Sequence, residues 1–278
     1  MSATVAPRRR THGGGLFLPI GASLLLMFLL LAVFGAAIAP YDPTAQDLLG
    51  ILDPPSMQHW LGTDEIGRDI LSRVIVGTRI TLAIAVISVF LAGVTGVCLG
   101  LLAGHFGGAL DRAISLVTDL MMTIPSLVLA IAVVSAIGAN TTGLVTAITI
   151  SFVPSLARLV RSRVLELREL DYIEAARAIG MRHARILLRH VLPNAVSVIV
   201  IELSLMAGQA VLVGTALGFL GLGVQPPAPE WGAMLGSSRQ YLETAPYVAM
   251  APGIAVSLLV LAFNLFGDGL RDRLDPNQ

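Results

Sequence analysis

The sequence predicts an all-α membrane protein. It has six transmembrane helices, cytoplasmic N and C termini, an extracytoplasmic loop between helices 1 and 2, and a short cytoplasmic helix between helices 4 and 5. Three observations lead there. The 278 residues are 55% hydrophobic and 13% charged, against about 25% charged in a soluble domain, so the bilayer is the natural solvent for the apolar surface. Six apolar runs approach or exceed the roughly 20 residues that a spanning helix needs. The arginines are distributed unequally between the segments that join those runs.

The first element is a cytoplasmic tail, 1–15, carrying Arg8, Arg9 and Arg10. The first transmembrane helix, 16–39, is free of charge. A cleaved signal peptide is the competing reading, because Ala37-Ile38-Ala39 resembles a cleavage site; signal cores run to about 7–15 apolar residues, and this run is longer. Segment 40–80 is an extracytoplasmic loop. Within it Ile66, Ile70 and Val74 recur every four residues, and Asp69 stands four before Arg73. An amphipathic helix with an Asp69–Arg73 pair is expected there, leading into the second span. The core, 81–266, then holds runs at 81–103, 113–137 (with Asp119 and Pro125 inside), 143–160, 195–224 (with Glu202 inside) and 247–266. It includes a cytoplasmic loop, 161–194, and the chain closes with a cytoplasmic tail, 267–278. With the first terminus inside, fourteen arginines fall on inner segments and four (Arg68, Arg73, Arg79 and Arg239) on outer ones.

Composition also excludes chemistry. All eighteen basic residues are arginine, and a P-loop needs a lysine at the terminal phosphates, so P-loop hydrolysis of a nucleotide must occur on another polypeptide. The net charge of zero gives no nucleic-acid footprint. The one cysteine, Cys98, has no internal disulfide partner. His59, His105, His183 and His190 are scattered and make no metal-ligand spacing, and no soluble domain holds a Ser/His/Asp arrangement. Neither a metal nor a catalytic residue is expected.

Inside the spans, Gly96, Gly100 and Gly104 share one helix face, which suits close helix packing in lipid; a substrate-lining face is the alternative. Asp119 and Glu202 are intramembrane acids and so candidates for a translocation path, with a hydrogen-bonded structural role as the competing reading. Gln209 and Asn264 could bond between helices or line the same path. Pro226, Pro227 and Pro229 stiffen the last outer loop, and Trp231 suits a membrane interface.

The inner loop carries the most information. Asp171 with Glu174 three residues on reads as a capping box with Asp as the cap. Ala175, Ala176 and Ala178 favour a helix, and Gly180 supplies a left-handed stop, so a short helix is expected over about 172–179. A basic amphipathic segment, 183–191, should follow, with a break at Leu192-Pro193 before the fifth span. A two-turn helix is marginal alone. Ala175 and Ala176 form a small-residue face, and Tyr172 and Ile173 are apolar anchors. Together they suit a helix-in-groove contact with a cytosolic partner, while an ordinary basic loop touching lipid headgroups remains open.

Glu174-Ala175-Ala176, then Gly180 after three residues, then Leu192-Pro193, resembles the EAA motif of bacterial ABC importer permeases. His190 stands two before Leu192, where the general motif has isoleucine, and this resembles the dipeptide/oligopeptide/nickel branch. His59-Trp60-Leu61-Gly62-Thr63-Asp64 with Gly67-Arg68-Asp69, Phe219-Leu220-Gly221-Leu222-Gly223 with Pro229-Glu230-Trp231-Gly232, and Gly267-Asp268-Gly269-Leu270-Arg271 with Leu274-Asp275-Pro276 are similar to segments of the peptide-permease C type. The resemblance implies a multi-pass subunit of a bacterial inner (plasma) membrane, embedded in the lipid bilayer and paired with a related permease as a heterodimer. It also implies one or two ATP-binding subunits, which hold ATP and Mg, and an extracytoplasmic substrate-binding protein. The chain itself then binds no cofactor and is not an enzyme. Asp171, Tyr172, Ile173, Glu174, Ala175, Ala176, Gly180, Leu192 and Pro193 become the ATPase-docking element, with the short helix as its coupling helix. Dipeptides or oligopeptides are the expected solutes. A nickel chelate or other small solute is the alternative, and a proton-coupled secondary transporter using Glu202 and Asp119 is the rival from another class.

Overall fold

The computed structural model describes residues 14–274. The basic triplet of the first tail and the Asp275-Pro276 pair lie outside the described residues. Among the described residues the regular secondary structure is helical, joined by irregular segments such as 39–69, with one isolated bridge between Thr63 and Asp69. The helices are α1 (Gly14–Ile38), α2 (Ile70–Phe106), α3 (Gly108–Met122), α4 (Ser126–Ile137), α5 (Thr141–Arg168), α6 (Asp171–Ala178), α7 (His183–Ile186), α8 (Leu192–Phe219), α9 (Trp231–Ser238) and α10 (Tyr247–Leu274). A π-helical turn, Leu187–Val191, joins α7 to α8. Among the described residues five helices are long and apolar enough to cross a membrane, or six spans if the bent pair α3 and α4 counts as one.

The helices pack through small residues, as they must where lipid removes the hydrophobic drive between them. Gly96, Gly100 and Gly104 of α2 lie against Leu156, Val160 and Val164 of α5, so closely that an added Cβ would stand 2.6–3.0 Å from its nearest neighbour. Close packing is therefore what this glycine face does. Gly93 meets Leu203 of α8; Gly21 of α1 meets the Phe266 backbone of α10; Gly269 meets Leu18. These contacts bring the start of α1 and the ends of α2, α5 and α10 to one end of the bundle, hereafter the loop end. The segment 39–69 and α9 cover the opposite, cap end.

Four of the prolines within or between the helices have three different outcomes. Pro125, expected inside one span, follows a break at Thr123-Ile124 across which α3 and α4 bend by 94°; the missing N–H and the bias of its predecessor away from helix permit the turn. Pro154 and Pro252 sit inside α5 and α10, which continue through them. Pro193 does not break the chain before the fifth span, contrary to expectation. It occupies the first turn of α8, where no N–H is needed, and the π turn before it opens the ladder, with Leu192 N–H donating to Leu187 O. Asn194 Nδ2 donates to His190 O at 2.6 Å, satisfying a carbonyl in that opened stretch.

Other boundaries differ for local reasons. The amphipathic outer helix merges into the second span as the 37-residue α2. The fifth span stops at Phe219, because Gly221 (φ 78°) takes the left-handed position and Leu222 N–H closes on Leu217 O. The last helix continues two turns past its apolar run, to Leu274.

The cap end is stitched by buried polar groups. Asp69 caps α2, accepting from Ser72 N–H and Oγ–H at 2.7 Å, and its other oxygen lies 2.9 Å from His59 Nδ1. The expected Asp69–Arg73 pair is therefore absent. Arg73 instead lies 3.3 Å from Asp64 and donates to Pro43 O, while Asp64 accepts from Arg68 Nε at 2.7 Å. Gly67 (φ 76°) turns where a Cβ would stand 1.8 Å from Asp47 O. Trp231 is fully buried rather than interfacial: its Nε1–H donates to Val74 O at 3.0 Å, and its ring packs edge-on to Phe28. Glu230 caps α9, accepting from Gly232 and Ala233 N–H at 2.8 Å. Burial pushes its carboxyl above the ordinary carboxylate value, and the two N–H bonds pull it part of the way back.

Candidate functional site

The loop end carries α6, eight residues long and close to the predicted bounds. Its start differs from the expected capping box. Leu170 is the cap, Ile173 and Glu174 N–H donate to the Leu170 carbonyl, and Asp171 lies in the first turn with no capping side-chain bond. Asp171 and Glu174 both stand where a helix N-terminus favours negative charge. The stop is as expected. Gly180 has φ 75°, Gly180 N–H donates to Arg177 O and Met181 N–H to Ala176 O, which is the paired closure of a Schellman motif.

The two faces of α6 have different surroundings. Ile173 is fully buried and Ala176 is 5% exposed, both within the apolar cluster that includes Val164, Leu167, Ile186 and Val191. Fully burying an isoleucine contributes about 1.5–3 kcal/mol, which is what holds a helix this short. Sequence reasoning had offered Ile173 and Ala176 to a partner, but they face the chain's own bundle. The outward face holds Asp171, Tyr172, Glu174, Ala175 and Ile179. Ile179 is 79% exposed and Tyr172 43%. Ile179 was missed from the sequence, although it continues the spacing of Tyr172 and Ala175 by four residues. Leu192 is half-buried and Pro193 exposed, in the first turn of α8. The Tyr172 ring lies 6.2 Å from the His190 ring, so α6 touches the stretch that leads into α8.

The remaining candidates do not converge. Asp119 on α3 is ion-paired with Arg158 of α5, and both are exposed. They line a 340 Å³ cavity with Ser115, Thr118 and Arg161. Beside it Asp111 accepts from Arg161 at 2.5 and 2.8 Å. Glu202 is half-buried on α8 and makes no hydrogen bond or ion pair among the described residues; it does not line the cavity at Asp119. Gln209 and Asn264 are exposed, and neither makes the expected interhelical side-chain bond. Nothing among the described residues links the two acids into a relay. No group of three metal-ligating side chains occurs among the described residues.

Comparison with known proteins gives a consistent result. Residues 96–278 match the family described as binding-protein-dependent transport system inner membrane component. The chain is 43% identical over 257 residues to a dipeptide transport system permease protein of Alkalihalophilus pseudofirmus, covering 92% of this chain and 84% of that one. It is 46% identical over 259 residues to a glutathione transport system permease protein of Pectobacterium atrosepticum, covering 92% and 86%. Among solved structures, an inward-facing conformation of the MetNI methionine ABC transporter aligns with a TM-score of 0.58 at 23% identity, over 70% of this chain and 93% of that one.

Proposed function

Since the chain belongs to the family of binding-protein-dependent transport system inner membrane components, we propose that it is the permease subunit of an ATP-driven importer for dipeptides or other short peptides. Permeases of this family carry no ATPase, and the chain is an inner-membrane transport protein on the same ground. The peptide class rests on two relatives, one named for dipeptides and the other for glutathione, itself a tripeptide. A second permease, one or two ATP-binding subunits holding ATP and Mg, and an extracytoplasmic binding protein complete the assembly in this reading, with both termini and α6 on the cytoplasmic side.

The observation that carries the docking role is the two-faced α6. A helix pinned inward by Ile173 and Ala176, with Tyr172, Glu174, Ala175 and Ile179 turned outward, has the form of an element that another protein's groove accepts. Asp171 and Glu174 supply charge at its start, Gly180 its stop, and Leu192 and Pro193 the entry to α8. ATP-driven closure of the partner subunits would displace α6 and shift the bundle between two states that differ in partner affinity. The polar cavity at Asp119 and Arg158 fits a place on the solute path, because exposed charges near a bilayer must face water or protein.

The test is co-expression of this chain and a sister permease with candidate ATPase subunits, followed by affinity purification of the complex. Recovery of an ATPase with the wild-type chain, and its loss with Glu174→Arg while the permease remains folded, is the expected result. Equal recovery from both would reject α6 as the docking element.

A further inference from the structure

Two contacts at the loop end join α2 to both flanks of α6. On the α5 side, Arg168 Nη1 donates to Gly104 O at 3.2 Å. On the α7 side, His105 Nε2 lies 3.0 Å from His183 Nδ1. Gly104 and His105 are consecutive residues in the last turns of α2, so the chain entering α6 and the chain leaving it hold the same turn. Phe106 completes the cluster, with its ring at 90° to His105 and 5.8 Å from the His183 ring.

The chemistry of this contact is more specific than packing requires. His105 is 6% exposed, and its Nδ1 is buried with no partner. An unpaired buried polar atom is destabilising, a cost that an apolar side chain of similar shape would not incur. The ring is held by its one bond to His183. In a neutral pair one imidazole donates and the other accepts, which fixes both the distance and the relative rotation of the two segments. His183 opens α7 three residues after Gly180, so displacement of α6 reaches it before it reaches α8.

We infer that His105 and His183 form a tether through which displacement of the α6 loop is delivered directly to α2, in addition to the routes along the chain through α5 and α8. The inference rests on the coupling role proposed for α6. Both histidines are positioning residues, since each acts through its contact with the other.

The test uses the purified full complex in proteoliposomes with the binding protein and a dipeptide. It compares wild type, His105→Phe, His183→Phe, the double variant, and the His105→Gln/His183→Asn pair, whose amide nitrogens or oxygens fall near Nε2 and Nδ1. Recovery of the ATPase subunits is measured on the same samples. The tether predicts unchanged ATPase recovery and roughly a five- to tenfold fall in peptide imported per ATP hydrolysed, the scale of one hydrogen bond. The double variant should be no worse than either single one, and the Gln/Asn pair should recover most of the loss. Unchanged stoichiometry in both Phe variants, or additive losses without rescue, would overturn it. Failure of the wild-type chain to recover any ATPase would instead remove the underlying reading of α6.

Discussion

The two ends of the bundle are built by opposite means. At the cap end Asp64, Arg68, Asp69 and Arg73 are each no more than 5% exposed, and they are tied to one another, to backbone and to His59 over a short stretch of chain. At the loop end α6 is seated by two apolar side chains, and its polar groups point outward. A buried charge network is costly to open, because any group that loses its partner stays desolvated. An apolar seat with no directional bonds of its own can slide as far as the Arg168–Gly104 and His105–His183 contacts at its flanks allow. One end is therefore made to hold its shape and the other to move.

The comparison can be broken most severely at Asp64. Asp64→Ala leaves Arg73 buried without a carboxylate and Arg68 with Glu65 alone, and the expected loss is about 3–5 kcal/mol of stability, read as a large drop in thermal midpoint in detergent. A small drop would mean that the cap is no stiffer than the loop. Ile173→Ala sharpens the other side. Its cost of about 2–5 kcal/mol should fall on the loop alone: hydrogen exchange across 171–191 accelerates while the thermal midpoint of the bundle holds. Gly180→Ala forces an L-residue to φ 75° at about 1–2 kcal/mol, and it should loosen the same segment to a lesser degree, because the space around that position is open. Glu174→Arg should leave stability within about 0.5 kcal/mol of wild type, as for exposed sites generally, and change only ATPase recovery.

The smallest expected effect is one of pH at the cap. The Glu230 carboxyl is raised in the folded state, so the native chain holds that proton more tightly than the unfolded one. Cap stability is then greatest below the ordinary carboxylate range and declines as pH rises from there through the raised value. Glu230→Gln should flatten that decline in a pH series of unfolding midpoints. An unchanged slope would show that another group sets it.

The apolar runs were enough to place the five long helices, though not the 94° bend that divides the third run into α3 and α4, and Asp171, Gly180 and the alanines between them were enough to place α6. The effect of each proline was not legible, because a missing N–H only frees a carbonyl. Packing decides whether the helix continues, as at Pro154, widens, as before Pro193, or turns, as at Pro125. The orientation of α6 was equally hidden. Tyr172 and Ile173 are adjacent and both apolar, as are Ala175 and Ala176, so only contacts with Val164 and Ile186 settle which member of each pair turns inward. The contact of His105 with His183 spans 78 positions and leaves no periodic trace. The outer motif was legible as a pattern, but its reason was not: Gly67 and Asp64 are needed by a turn whose tightness no spacing reveals.

The 37-residue α2 has a further consequence. At 1.5 Å per residue it is a rod of about 55 Å, against roughly 30 Å of hydrocarbon, and it runs unbroken from the Asp69 cap to His105. Its glycine seam with α5 is centred on Gly100, close to one extremity. That leaves an arm of about 45 Å on one side of the pivot and about 9 Å on the other. A one-ångström push at His105 that tilted α2 as a rigid rod about the seam would reach about six at Ile70, so the stiff cap, with Trp231 held on the Val74 carbonyl, would have to travel with it as a unit.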